Sequence, residues 1–277
     1  MKYLVGMAQI LVEGGRAEAN LGRAAARIAE AGRAGCRLVV LPECLDLGWT
    51  DASARELAQP IPGPAVARLA EAARAAGVYV AAGLVERAGE NLYNAAVLLD
   101  PAGRLLLLHR KINELDVAHD LYAIGDRLGV VHTPLGTLGL DICADNFSDS
   151  LAIGHVLARM GAGVLLSPSA WAVDADHDNA REPYGDLWRR AYCELARLYD
   201  MTIVGVSNVG WLTSGPWQGR KAIGCSLAVG PGGVVLAEGP YGHDAEALVL
   251  VEIEPRGPIA RGTDMADALR RRGYAGP

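Results

Sequence analysis

The chain has 277 residues, 51% hydrophobic and 21% charged, enough apolar material for one large buried core and too much for intrinsic disorder. Lys and Arg number 26 against 32 Asp and Glu, a net charge of −6, and no basic run is long enough to follow a phosphate backbone, so a nucleic-acid partner is not expected. No apolar run reaches the ~18 residues of a membrane helix, which excludes a membrane partner of that kind.

In chain order, Tyr3–Ile10 reads as a first strand rather than a signal peptide, because Gln9 interrupts it and Glu13 follows. Arg16–Ala34 carries apolar residues at Leu21, Ala24, Ala25 and Ile28, one helical face, and Gly35 closes it. A buried strand Arg37–Leu41 runs into Pro42-Glu43, and Pro64–Ala76 is a helix stopped by Gly77. Val78–Glu86, Leu92–Leu99 and Leu105–His109 are β-rich and joined by short turns, which predicts antiparallel neighbours in a mixed sheet. Lys111–Leu128 is a long irregular stretch, expected to be a pocket wall or mobile. Val130–Thr133 and Thr137–Cys143 follow as strands, with a helix over Ser150–Met160. Gly163–Ser167, a helix at Asp186–Tyr199, Thr202–Ser207, Ala222–Val229, Val234–Ala237 and Ala247–Ile253 complete the series, Gly232-Gly233 turning one strand onto the next. Two strand-rich halves with helices predict an α/β domain over residues 1–254, its two sheets face to face and its helices outside. Pro255–Pro277, rich in Arg and Gly and poor in apolar periodicity, is expected to be a solvated tail or an arm onto a partner subunit.

Three polar side chains stand where apolar strands end. Cys143 closes Leu138-Gly139-Leu140-Asp141-Ile142 and precedes the turn-forming Ala144-Asp145-Asn146, an elbow whose backbone N–H groups favour a thiolate and can bind an oxyanion. Glu43, emerging from Leu38–Pro42, is placed as a general base. Lys111, after Leu105–Arg110, could stabilise developing negative charge. Cys44 is the one rival thiol, since Cys36, Cys193 and Cys225 lie inside regular elements. Odd in number and widely spaced, the five cysteines fit a reduced, cytoplasmic protein and form no metal pattern with the histidines. Dinucleotide, P-loop and zincin motifs are absent.

Taken together, Leu41-Pro42-Glu43, His109-Arg110-Lys111 and Gly139–Asp145 resemble, in order and spacing, the three signature blocks of the nitrilase (carbon–nitrogen hydrolase) superfamily. Met7-Ala8-Gln9, Leu166–Trp171 and Val206–Gly210 resemble other strands of that family. The resemblance implies a four-layer αββα sandwich, a Glu43–Lys111–Cys143 triad with no metal or organic cofactor, an oxyanion site completed by the backbone N–H of Ala144, and a homodimer or higher homo-oligomer. It implies attack of Cys143 on a small amide, giving a thioester. Cys143-Ala144-Asp145 lacks the Cys-Trp-Glu of nitrile-hydrolysing members, which favours an amidase over a strict nitrilase. No carboxylate-binding Arg follows Asp145, where Asn146-Phe147-Ser148 stands, which argues against N-carbamoyl amino acids and ω-amidic acids. A non-catalytic binding paralogue is disfavoured by the intact triad. Members often carry a second acid after the Lys; Glu114, Asp116 and Asp120 compete for that place, and Asp120, five residues before Gly125, fits best. Trp49, Asp145, Asn146, Ser169 and Trp171 complete the expected substrate-binding or supporting set, the two Trp as apolar walls and Asp120 and Asp145 as acids repelling a carboxylate.

Overall fold

In the run from Leu38 to Leu41, neighbouring side chains face opposite ways, and each way meets a different core. Leu38 and Val40 join Val5, Met7, Ala81, Ala96 and Leu98 against Leu138, Leu140, Leu166 and Val206 of a second sheet. Val39 and Leu41 join Ile10, Val80, Ala82, Val97 and Leu99 against Leu21, Ala24, Ile28, Leu69 and Ala73 of two helices. A strand apolar on both faces belongs in the middle of a layered α/β fold. In this computed structural model, which describes residues 1–276, the strands are β1 (Tyr3–Gln9), β2 (Leu38–Val40), β3 (Tyr79–Ala88), β4 (Asn91–Leu99), β5 (Leu105–Arg110), β6 (Val130–Thr133), β7 (Gly136–Leu140) and β8 (Val164–Ser169). They continue as β9 (Ala172–Val173), β10 (Thr202–Ser207), β11 (Val209–Trp211), β12 (Lys221–Ile223), β13 (Leu227–Gly230), β14 (Val234–Glu238) and β15 (Ala247–Ile253). The helices are α1 (Ala17–Arg33), α2 (Ala54–Leu57), α3 (Pro64–Ala76), α4 (Ala152–Arg159), α5 (Asp186–Tyr199) and α6 (Asp264–Arg271).

Two six-stranded mixed sheets result, ordered β15-β1-β2-β3-β4-β5 and β14-β13-β10-β8-β7-β6. Helices α1 and α3 cover the first, while Leu195, Leu198 and Tyr199 of α5 and Leu157 of α4 join the core of the second. This is the expected αββα sandwich. Pro64 opens α3 at its first position and Gly77 closes it in the left-handed conformation, φ 66°.

Two expectations change. Ala222–Val229 is not one strand: Gly224 lies against the Gln9 carboxamide, which accepts from the N–H and hydroxyl of Ser226 at 3.2 and 2.9 Å. Cys225 turns to φ 58° there, sending β12 into a small sheet with β9 and β11 and β13 into the large one. The segment after Pro255 is not a free tail either, because α6 buries Met265, Ala268 and Leu269. Met265 and Leu269 enter the inter-sheet core cluster, and Tyr274 packs on His155 at 4.8 Å. A short amphipathic helix carried the needed apolar face in three residues.

Candidate active site

Glu43, Lys111 and Cys143 leave the ends of β2, β5 and β7, the first two in one sheet and the third in the other. The Glu43 N–H donates to Ser169 O at 3.1 Å, tying the sheets together at this point. Gly83 of β3 runs so close beneath that a Cβ would strike the backbone of Pro42 and Glu43; its N–H donates to Pro42 O at 2.9 Å. Lys111 is held by its N–H, which donates to Asn94 O at 2.8 Å, and by its carbonyl, which accepts from the Gly125 N–H at 2.8 Å. Cys143 sits at φ 47°, a left-handed conformation that costs a non-glycine residue roughly 1–2 kcal/mol and needs surrounding structure to hold it.

That structure is Asp145. Its Oδ1 accepts the N–H groups of Ile112 and Asn113 at 3.1 and 2.8 Å, its Oδ2 the N–H of Ile142 at 3.0 Å, and His109 Nε2 lies 2.8 Å from Oδ2. One buried carboxylate therefore clamps the nucleophile turn to the segment after Lys111. Burial opposes its charge, but His109 and these donors prevail and hold Asp145 below its usual value. The Ala144 carbonyl accepts from Asn113 Nδ2 at 2.8 Å and Ser150 Oγ at 2.6 Å, pinning the far side of the turn.

The three side chains converge. Lys111 Nζ donates to Glu43 Oε1 at 2.8 Å, with both residues 1% exposed and Cys143 7%. Burial works against the Lys111 charge, yet the nearby Glu114 and Glu43 carboxylates keep it protonated far above the ordinary range. Burial first, then Glu43, pushes the Cys143 thiol well up, while Lys111 and the Ala170 N–H pull the other way. Burial thus favours the neutral thiol at Cys143 over the thiolate that the elbow alone suggests. Cys44 is also buried and pushed up, and faces Asn94 Oδ1 at 3.4 Å and Tyr122 OH at 3.8 Å instead of the triad lysine.

The acid of the stretch after Lys111 that lies beside this lysine is Glu114, whereas Asp120 faces solvent. Glu114 Oε2 lies 3.8 Å from Lys111 Nζ, its oxygens make no hydrogen bond, and burial raises it to about 7 against the pull of Lys111. Asp120 is exposed, its carbonyl accepting from Arg55 Nη2 at 3.0 Å, because the short turn Asp116–Ala118 carries the chain outward after Leu115. The Trp49 ring lies 6.0 Å from Lys111 Nζ and 4.8 Å from Trp217. It borders a narrow cavity with Ala170, Asn208, Leu212 and Ser214, where Asp51 is the one charged lining residue. Trp171 stacks on Trp188 at 4.8 Å and is 1% exposed, in the same buried cluster as Cys143. Asp145 directs both carboxylate oxygens into the clamp. Asn146 donates to Asp141 Oδ2 at 2.7 Å and Ser167 Oγ at 3.1 Å, and Ser169 Oγ donates to Ser167 O at 3.1 Å, so both support the site from beneath. Asn94, which the sequence reading passed over, touches Glu43; its signal was an amide on the inward face of β4, in register with the buried Ala96 and Leu98.

Residues 4–257 match the Carbon-nitrogen hydrolase family, and the chain belongs to it. Among curated proteins it is similar to the omega-amidase NIT2 of Xenopus tropicalis, 29% identical over 94% of each chain. The fold matches a carbon-nitrogen hydrolase from Helicobacter pylori G27 with a TM-score of 0.81 at 23% identity, covering 98% of this chain and 92% of that one. It also matches an amidase from Nesterenkonia sp. AN1, in a form bearing the acetamide moiety of fluoroacetamide on its active-site cysteine, with a TM-score of 0.76 at 22% identity over 99% and 94% of the chains.

Proposed function

We propose that this protein hydrolyses small primary amides without a carboxylate to the acid and ammonia, through a thioester on Cys143. The observation that carries this is Glu43 in a dry site between the protonated Lys111 and the Cys143 thiol. Glu43 takes the thiol proton as sulfur attacks the amide carbon; Lys111 and the Ala144 N–H stabilise the oxyanion. Glu43 then protonates the departing ammonia and deprotonates the water that cleaves the thioester. Glu114 supports the positive charge of Lys111 throughout. The acetamide adduct on the cysteine of a mutant of the Nesterenkonia amidase supports a nucleophilic cysteine at this place in the fold. Five free cysteines fit a reducing cytoplasm, and a symmetric homo-oligomer is the assembly we expect.

A second reading, hydrolysis of ω-amidic acids, is favoured by the name of the Xenopus tropicalis relative. Against it stands the stretch after Asp145, where Asn146-Phe147-Ser148 supplies no Arg to take a distal carboxylate. The deciding assay compares kcat/KM for propionamide, propionitrile, succinamate and an N-carbamoyl amino acid, with intact-mass detection of the acyl-enzyme. Propionamide should lead the acid-bearing substrates by roughly 10- to 100-fold, about 1.4–2.8 kcal/mol, and the acyl mass should vanish in Cys143→Ala. A lead for succinamate would establish the second reading, and turnover by Cys143→Ala would end both.

A further inference from the structure

The Glu43 carboxylate has two oxygens and two tasks, holding Lys111 and receiving the thiol proton. Oε1 is already taken twice: Lys111 Nζ donates to it at 2.8 Å and Asn94 Nδ2 at 2.5 Å. That leaves Oε2 for the thiol and the substrate. Asn94 is itself fully buried and fixed. Its Oδ1 accepts from Cys44 Sγ at 3.4 Å, which sets the amide the right way round, and its carbonyl accepts the Lys111 N–H at 2.8 Å. Antiparallel pairing of Val85 with Asn94, and of Ala95 with Arg110, fixes where β4 presents this residue. One asparagine thus touches the base through its side chain and the lysine through its backbone.

Resting on the amidase reading, we propose that Asn94 is a positioning residue that selects which oxygen of Glu43 acts as the base. A donor on Oε1 favours the charged form and withdraws that oxygen from the thiol. Glu43 is also faced by Lys111 and Glu114 from the loop after β5, by Cys143 from the nucleophile turn, and by Cys44 beside it, with Asp46 and the His109–Asp145 pair further out. Asn94 is the neutral amide donor in that set.

Asn94→Asp keeps the shape and removes the donor; Asn94→Ala removes the side chain. Both are to be measured for kcat, KM, the pH dependence of kcat/KM, and the rate of Cys143 alkylation by iodoacetamide against pH, with thermal unfolding as the check on folding. The expected result is kcat down roughly 10- to 100-fold, as for loss of one hydrogen bond to a charged group, with KM within about 3-fold. The acid limb of the kcat/KM and alkylation profiles should move up by about one pH unit, further in Asn94→Asp, where another acid joins Glu114 in facing Glu43. Unmoved profiles in both variants, with activity falling only with the folded fraction, would overturn the proposal. That outcome would leave the amidase reading standing, because wild-type turnover of propionamide tests it separately.

Discussion

Lys111 meets two carboxylates that differ in everything but charge. Glu43 is held by Lys111 and Asn94, whereas Glu114 has Lys111 at 3.8 Å and no hydrogen bond, and burial lifts it to about 7. Ionised Glu114 helps keep Lys111 cationic, so its loss should weaken the oxyanion site more than substrate binding. Glu114→Gln is expected to lower kcat by roughly 10- to 100-fold with little change in KM, and to remove an inflection near pH 7 from the wild-type profile. Asp120→Asn, an exposed change, should leave kcat within about 2-fold. Equal losses in a steady-state comparison would return Asp120 to the site. Glu43, Lys111 and Cys143 were picked out because each is a polar residue at the end of an apolar strand, a position that singly fits a surface acid, a solvated lysine or a packed thiol as well, and it was the order and spacing of their three blocks that joined them. Glu114 was not picked out, since three acids share one irregular stretch and only the turn at Asp116–Ala118 decides which faces inward.

At the scale of elements, the stretch after β5 is neither loose nor a lid. Gly125 N–H donates to Lys111 O, Ala123 N–H to Leu92 O at 2.8 Å, and Asp145 takes two further N–H groups from Ile112 and Asn113. Gly125 lies against the Arg110 carbonyl, so a Cβ there would push the chain that carries Lys111. Gly125→Ala should therefore lower kcat at least about 10-fold while costing stability about 1–3 kcal/mol. Kinetics and thermal unfolding on one preparation separate the two, and full activity would show that Lys111 is aimed by something else. Long periodic elements such as α1, α3 and α5 lay within a residue or two of the sequence reading, as caps and one apolar face dictate. The two- and three-residue strands β9, β11 and β12 did not, for they carry no period, and α6 was hidden by its Arg-rich outer face.

For the molecule as a whole, three buried acids stand out: Asp46, Asp141 and Glu114 are each raised to about 7, in every case chiefly by burial. An unfolded Asp loses its proton near 3.8, so below that pH both states are protonated and the group costs nothing. From there to about 7 the unfolded group is ionised while the folded one keeps its proton, so stability falls across that interval and levels off once both states carry the charge. Asp46→Asn keeps an acceptor for the Val85 N–H, which donates to Oδ1 at 3.0 Å. It should raise stability by about 1–3 kcal/mol at pH 8 and hardly at pH 4; denaturant unfolding at both values checks this, and an equal gain at each would rule out ionisation as the cause. The sandwich has one more consequence. Base and lysine ride on one sheet and nucleophile on the other, so the reach between sulfur and carboxylate is a thickness, gauged by the aliphatic side chains filling the gap. Leu38, Val40, Leu140 and Val206 never meet substrate, yet they act as its calipers, and evolution can retune the rate of this protein by shaving or adding a methyl group far from any reacting atom.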